Sequence, residues 1–217
     1  MNWKPVDFTR RIQPRSGTYK NWKRQVADEC HHQCVYCAIH ESRFGGLDNF
    51  HIDHFRPKSR FAKLENVIIN LFLACAICNR FKSNDWPNEP RARHSVASYP
   101  DPSKCDYNQL FKVSSNNYVV SGRYLASKYV TDRLYLNRPQ LVIERRAHAL
   151  ERRIKDFQDF AKIATANLSK SKAEPRSVIK AFTELSEALI SLSEKLSDVH
   201  ASRPYNLDDV RRKKAKR

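Results

Sequence analysis

Apolar residues recur with helical spacing over the last third of the chain and predict two long helices there. In the first, alternating spacings of four and three residues connect Ile143, Ala147, Leu150, Ile154, Phe157, Ala161 and Ala164. After Pro175 the pattern resumes at Val178, Phe182, Leu185, Leu189, Leu192, Leu196 and Val199. Each set falls on one helix face, and a short Ser/Lys-rich linker joins them, so we expect an antiparallel helical hairpin. Its apolar seam closes on itself, on the preceding domain or on another subunit, as a homo-oligomer.

Ahead of these helices the pattern is shorter in range and more often interrupted. Residues 1–17 are basic and contain two prolines and a glycine, so we expect an irregular N-terminal arm. A helix is predicted over residues 18–32, where apolar side chains share one stripe. Cys30 lies on that stripe and is expected to pack as a small apolar residue, with an auxiliary zinc ligand as the alternative.

Short strands and turns are predicted between residues 34 and 82. CVYC opens a strand or knuckle, and Gly45-Gly46 contributes to the turn into a strand from Phe50 to Phe55, so these two segments are expected to pair as a hairpin. An apolar run from Leu64 to Leu73 follows, and the helix-like stretch CNRFKSN comes after it.

These patterns divide the chain into five segments. They are a basic N-terminal arm (1–17), a compact core (18–88), a connection with a hairpin about Ser121-Gly122 (89–126), a helical region (127–203) and a basic tail (204–217). The predicted fold class is α+β, with a mostly α-helical C-terminal region that contains the long helical hairpin.

The charge of the chain is strongly positive, with 40 lysines and arginines against 23 acidic residues and a formal net charge of +17. Such an excess favours a polyanionic partner, and we expect nucleic acid. The first residues lack the apolar region of a signal peptide, and no run approaches the roughly 20 apolar residues of a membrane span. We therefore expect a soluble, cytoplasmic protein with no membrane association.

The most specific chemical signal is a pair of C-x-x-C motifs. Their cysteines are Cys34, Cys37, Cys75 and Cys78. This is ligand spacing for one tetrahedral zinc ion, and because four thiolates leave no open position for substrate, we predict a structural zinc site. The remaining cysteines, Cys30 and Cys105, have no matching partner spacing, which favours metal binding over disulfides.

A second set of polar residues lies between the two cysteine pairs and just after them. Asp53 offers a carboxylate and Asn79 a side-chain carbonyl, which are hard oxygen ligands that suit Mg²⁺ or a similar cation. His54 follows Asp53, and its imidazole can take a proton from water near neutral pH. The set predicts hydrolysis of a phosphodiester. His51 is either a further ligand or phosphate contact, or a surface or turn residue.

These residues resemble the HNH, or ββα-metal, nucleases. HIDHFRPKS is similar to the first strand element of that family, with Asp53 as metal ligand and His54 as general base. IINLFLACAIC places Asn70 where family members use an asparagine to constrain the loop and orient the base. CNRFKSN resembles the family's helix, with Asn79 as the second metal ligand. The resemblance implies a ββα-metal core, catalytic Mg²⁺ or Mn²⁺ rather than zinc, and endonuclease activity.

A narrower resemblance concerns the stand-alone HNH proteins of bacterial antiphage systems, such as the nuclease subunit of Septu. HFRPKS with a later ACxxCN is similar to those proteins. It implies DNA as substrate and a role in antiphage defence or restriction. Because an unregulated nuclease endangers its host, a further hypothesis is that a regulatory ATPase or sensor subunit docks on the helical region. LNRPQL, before the long helix, also resembles their C-terminal part, but the resemblance gives it no function.

Cations outnumber acids between His51 and Lys82, so a basic rim is expected around the candidate site. We expect phosphate contacts, without base specificity, from Arg56, Lys58, Arg80 and Lys82. The same features fit a second function, a non-catalytic zinc-knuckle protein that binds nucleic acid. Such a binder needs no general base, so a His54→Ala variant separates the two.

Overall fold

The computed structural model describes residues 2–6, 12–168 and 175–201. The chain divides into two compact units, residues 1–141 and 142–217. The predictions of a basic tail over 204–217 and of a linker between the two long helices fall outside the described residues, apart from the edges of the linker. In the described ranges, no helix combines the length and apolar character that crossing a membrane requires.

The first unit combines short helices with paired strands. Its helices are α1 (Lys23–Glu29), α2 (Ala76–Lys82), α3 (Tyr107–Leu110) and α4 (Leu125–Arg133). Its strands are β1 (Phe50–His54), β2 (Leu71–Cys75), β3 (Phe111–Val113) and β4 (Val120–Gly122). Two long helices follow, α5 (Pro139–Leu168) and α6 (Pro175–Ala201). The protein therefore has a mixed helix and strand fold.

The two strands that carry the candidate site form an antiparallel hairpin, and α2 follows directly. Phe50 pairs with Cys75 and His54 with Leu71, so the order of elements is strand, strand, helix. The predicted pairing of CVYC with the strand after Gly46 is wrong, because CVYC forms a knuckle whose Val35 N–H donates to Leu73 O at 3.0 Å. β2 therefore has both β1 and the knuckle as neighbours, and it is buried along its whole length.

The described start of the N-terminal arm packs into the core of the first unit. Trp3 and Val6 are buried. The Trp3 indole N–H donates to Tyr36 O at 3.1 Å, and its ring stacks on Phe111 with centroids 5.2 Å apart. The backbone there has no regular secondary structure, as expected, but these apolar side chains fix it to the fold.

A second hairpin, β3–β4, is present, but its turn differs from the predicted one. Phe111 pairs with Gly122 and Val113 with Val120, so the chain reverses over residues 114–119 rather than at Ser121-Gly122. Gly122 lies within β4 instead. A Cβ atom there would come within 2.3 Å of the Lys128 backbone nitrogen, so the glycine allows α4 to approach the strand closely.

The second unit contains an apolar cluster between α5 and α6. Ala147 and Leu150 of α5 are buried with Val199 of α6, and His200 Nε2 lies 3.6 Å from Glu151 Oε1. The two helices predicted from the apolar spacing are confirmed, and their seam closes on itself at this end. Phe160 of α5 remains 59% exposed, so closure does not extend along the whole of α5.

Candidate functional site

The four cysteines of the two C-x-x-C motifs converge on one buried point. Their sulfur atoms all lie within 4.8 Å of one another. The knuckle contributes Cys34 and Cys37, the end of β2 contributes Cys75, and α2 contributes Cys78. All six cysteines, which fall in the described part of the chain, are free of disulfides.

The geometry of this cluster fits a tetrahedral zinc ion. Zinc–sulfur bonds of about 2.3 Å at tetrahedral angles place neighbouring sulfurs ~3.8 Å apart, and Cys37 Sγ lies 3.9 Å from Cys75 Sγ. The cluster therefore suits a closed structural zinc site that ties the knuckle to the β2–α2 junction. It offers no open position for a substrate.

Beside the hairpin lies a cleft of about 350 Å³ that brings together the predicted base His54 and the predicted metal ligands Asp53 and Asn79, while Asn70 does not line it. Its lining residues are Tyr19, Ile52, Asp53, His54, Pro57, Lys58, Asn79, Arg80, Ser83 and Asn84. The end of β1 and one face of α2 thus share a single opening. The arrangement gathers a carboxylate, an imidazole, two amides and two cations.

His54 is held by the loop that follows β1. Its Nε2 lies 2.9 Å from the backbone oxygen of Glu65, and because a carbonyl can only accept, Nε2 carries the proton. The lone pair is then on Nδ1, which can accept a proton. Burial lowers the pKa of His54 against the opposing effects of Glu65 and Asp53, so the imidazole is neutral near neutral pH.

Asn70 fastens the two ends of this loop. Its side-chain oxygen accepts from Arg56 N–H at 2.9 Å, and its amide donates to Arg56 O at 3.1 Å and to Leu64 O at 3.2 Å. Leu64 directly precedes Glu65, whose carbonyl holds His54. Asn70 therefore fixes the backbone that sets the direction of the imidazole.

Tyr19 was not anticipated from the sequence, and it packs against His54 from the N-terminal segment. The two rings meet edge to face with centroids 4.7 Å apart, and Lys58 Nζ lies 3.2 Å from the phenol oxygen. Asn66 holds the Tyr19 backbone, accepting from its N–H at 2.8 Å. No local motif marks this tyrosine, because it lies 35 positions before the histidine it contacts.

Asp53 is almost fully buried, and both of its oxygens accept hydrogen bonds. The Tyr36 hydroxyl donates to Oδ2 at 2.6 Å, and the Lys82 ammonium donates to Oδ1 at 3.1 Å. Lys82 also donates to His54 O at 2.7 Å. Burial and the Asp53 charge raise the pKa of Tyr36 well above its ordinary value, so its phenol remains a donor.

The predicted phosphate contacts separate into three groups. Lys58 and Arg80 line the cleft, although Lys58 also pairs with Glu65 at 2.9 Å. Arg56 pairs with Glu89 at 2.8 Å and is 42% exposed. The surface role expected of Lys82 does not fit its placement, because its side chain is fully buried. Lys82 follows Cys78 by four residues and thus shares its helix face, a signal that the sequence already contained.

The donor set of the cleft also fits a hard divalent cation. Asp53 and Asn79 both line it, and each carboxylate oxygen that already accepts one hydrogen bond retains a second acceptor position. Two protein oxygens with water and phosphate making up the rest is a common arrangement for Mg²⁺. His51 is exposed on β1. Cys30 is buried in the core, where its Sγ accepts from Leu73 N–H at 3.4 Å.

Comparison with protein families identifies the segment that carries this site. The family model for HNH endonucleases matches residues 34–85, which include the four cysteines, β1, β2 and α2. Neither the curated proteins nor the solved structures gave a match. Residues 34–85 therefore resemble the HNH endonuclease family, and Tyr19 lies outside the matched segment.

Proposed function

We propose that this protein is a metal-dependent endonuclease that hydrolyses phosphodiester bonds in DNA. The observation that carries the proposal is the position of His54, a neutral imidazole bonded through Nε2 to Glu65 O at 2.9 Å in a cleft shared with Asp53 and Asn79. The HNH match over residues 34–85 supports the nuclease class.

In the proposed reaction His54 acts as general base. Nδ1 takes a proton from a water molecule, and the water oxygen forms a bond to phosphorus while the bond to the leaving oxygen breaks. Glu65 O then accepts from the Nε2–H of the resulting imidazolium. Asn70 and Tyr19 hold the imidazole ring in one orientation, so that Nδ1 stays directed at the water molecule.

Asp53 and Asn79 are the proposed ligands of Mg²⁺ or Mn²⁺. When bound, such an ion stabilises the negative charge that develops on the phosphate and on the leaving oxygen. Tyr36 and Lys82 keep the Asp53 carboxylate in one orientation. The cations at the rim, Lys58 and Arg80, are the proposed contacts to the phosphate backbone, and Arg56 can join them because its exposed pair with Glu89 is weak.

Plasmid cleavage by purified protein tests this function. We expect cutting by the wild type with Mg²⁺ or Mn²⁺, no cutting in EDTA, and a loss of about 10²- to 10⁴-fold in His54→Ala. His51→Ala is the matched control, because His51 is an exposed histidine on the same strand. Cleavage that survives metal removal, or that His54→Ala leaves intact, contradicts the proposal.

One observation favours the second function, a nucleic-acid-binding protein without catalysis. The Lys82 ammonium already lies against Asp53 Oδ1, and a second cation at this carboxylate must tolerate that charge. Under this alternative, wild type and His54→Ala bind DNA equally, and neither cuts with any metal tested.

We further propose a role in antiphage defence or restriction, with a regulatory ATPase or sensor subunit or a second copy as partner. The support is the resemblance of HFRPKS and ACxxCN to stand-alone defence nucleases. Plaque counts on cells that express the wild-type protein or His54→Ala test the role. Equal plaque counts contradict it, and light scattering with affinity purification tests the partners.

A further inference from the structure

The LNRPQL segment, which the proposed function leaves unexplained, is fixed against the core of the first unit. Leu136 and Leu141 are buried. Asn137 bonds both backbone groups of Val120, accepting from its N–H at 2.7 Å and donating to its oxygen at 2.8 Å. With these three positions held, the side chain of Arg138 has a defined direction.

Arg138 points at the cysteine cluster. Its Nη2 lies 3.5 Å from Cys78 Sγ, 3.7 Å from Cys75 Sγ and 4.0 Å from Cys37 Sγ. Its Nη1 donates to Leu134 O at 3.1 Å, at the end of α4. One guanidinium therefore bridges three sulfur atoms and a backbone carbonyl.

The charge of a zinc site explains why a cation belongs here. Four thiolates around Zn²⁺ carry a net charge of −2, and all four cysteines are buried. A buried charge without a partner is strongly unfavourable. A guanidinium stays protonated at every physiological pH and presents several N–H donors in a fixed plane, so it can bond more than one sulfur at once.

The turn over residues 134–138 also contacts α2, the helix that carries Cys78. The ring of Tyr135 packs on Phe81 of α2 with centroids 4.8 Å apart, and Tyr135 adopts a left-handed backbone conformation with φ of 48°. Such a conformation is uncommon for a tyrosine. Contacts on both sides hold this strained turn in place.

We infer that Arg138 is the outer-sphere partner of the four-cysteine zinc site, where it strengthens zinc binding, and that bound zinc in turn orders the turn over residues 134–138. The inference rests on the assignment of the cysteines to zinc and not on nuclease activity. Because the two effects are one coupling free energy, each must appear with the same sign.

Zinc affinity measured by chelator competition tests the inference. In Arg138→Met we expect binding about 10- to 100-fold weaker than in the wild type, the range found for lost outer-sphere partners. Arg138→Lys keeps the charge but not the planar fork, so we expect an intermediate loss. Arg133→Met is the matched control, since Arg133 lies at the end of α4 and bonds Asp85 at 3.1 Å. It should keep wild-type zinc affinity.

Cobalt substitution and hydrogen exchange complete the test. A tetrathiolate cobalt spectrum in the wild type establishes the metal site, and its absence refutes the zinc assignment and the inference together. Equal zinc affinity in wild type and Arg138→Met overturns the role of Arg138 alone. If Arg138→Met does not fold, Arg138→Lys decides in the same way. Amide exchange over residues 134–138 should slow when zinc binds the wild type, and unchanged exchange contradicts the reciprocal effect.

Discussion

Lys82 Nζ lies 3.1 Å from Asp53 Oδ1, and the two side chains are 0% and 4% exposed. In Lys82→Met the Asp53 carboxylate loses its charged partner while it remains buried. Because an uncompensated buried charge is strongly unfavourable, we expect the free energy of unfolding to fall by about 3 kcal/mol. Urea denaturation followed by circular dichroism measures this loss.

The double variant Asp53→Asn with Lys82→Met isolates the interaction energy between the two side chains. It removes both charges, so we expect it to be more stable than the sum of the single effects predicts. Lys58→Met, which removes a lysine from an exposed pair with Glu65, should change stability little. A Lys82→Met variant as stable as the wild type would show that Asp53 does not need the ammonium.

The pH dependence of cleavage should follow His54. Burial lowers the pKa of His54 below its ordinary value near 6.5. A base works only when neutral, so we expect activity to stay high down to pH 6.5 and to decline at lower pH. In His54→Ala this acid limb should disappear along with most of the activity. An acid limb centred above pH 6.5 in kcat/KM contradicts this assignment.

The same shift affects stability, with a defined sign. Between the lowered pKa of folded His54 and its ordinary value near 6.5, the unfolded chain binds more protons than the folded chain. The His54 contribution to stability is therefore fully present above pH 6.5 and falls as the pH drops through this window. The difference in denaturation midpoint between wild type and His54→Ala should change in this range and be constant above it.

Spacing along the chain predicted the parts of the fold that local patterns determine. The cysteine pairs of the four-sulfur cluster and the face of α2 follow from intervals of three and four residues, and the two long helices follow from apolar periodicity. The partner of β1 could not be read in this way, because an alternating strand does not specify which neighbour it takes.

The candidate site shows the same limit at the level of side chains. Asp53, His54 and Asn79 were predicted because they lie in two short segments, HIDHFRPKS and CNRFKSN, to which the resemblance assigns roles. Tyr19 and Tyr36 reach the site only through tertiary packing, and neither lies in a recognisable pattern. For Lys82 the sequence contained two opposing signals. Its charge favoured a surface position, whereas its spacing from Cys78 indicated the buried face. In the structure Lys82 is buried, with Asp53 as its partner.

Tyr19 should orient the base as well as border the substrate. Tyr19→Ala removes the ring that packs on His54 at 4.7 Å, and a misaligned base is expected to lower kcat by about 10- to 100-fold. Tyr19→Phe keeps the ring and loses only the contact of the hydroxyl with Lys58, so we expect kcat close to that of the wild type. Steady-state cleavage of an oligonucleotide duplex gives kcat and KM separately. Equal kcat in Tyr19→Ala and the wild type contradicts the positioning role.

Asn70 should affect both the stability of the loop over residues 56–65 and the orientation of the His54 imidazole. Asn70→Ala removes three hydrogen bonds and leaves backbone groups of Arg56 and Leu64 without this partner. A buried polar group left unpaired costs about 1–3 kcal/mol, so we expect a loss of that order in urea denaturation. Faster amide exchange over residues 56–65 should accompany it, together with lower kcat, because Glu65 O no longer has a fixed position.

Asn116→Ala, in an exposed turn, is the control and should match the wild type in all three measurements. Normal exchange in the loop of Asn70→Ala would mean that the remaining contacts, such as Phe55 N–H to Asn70 O at 2.9 Å, are sufficient to hold it.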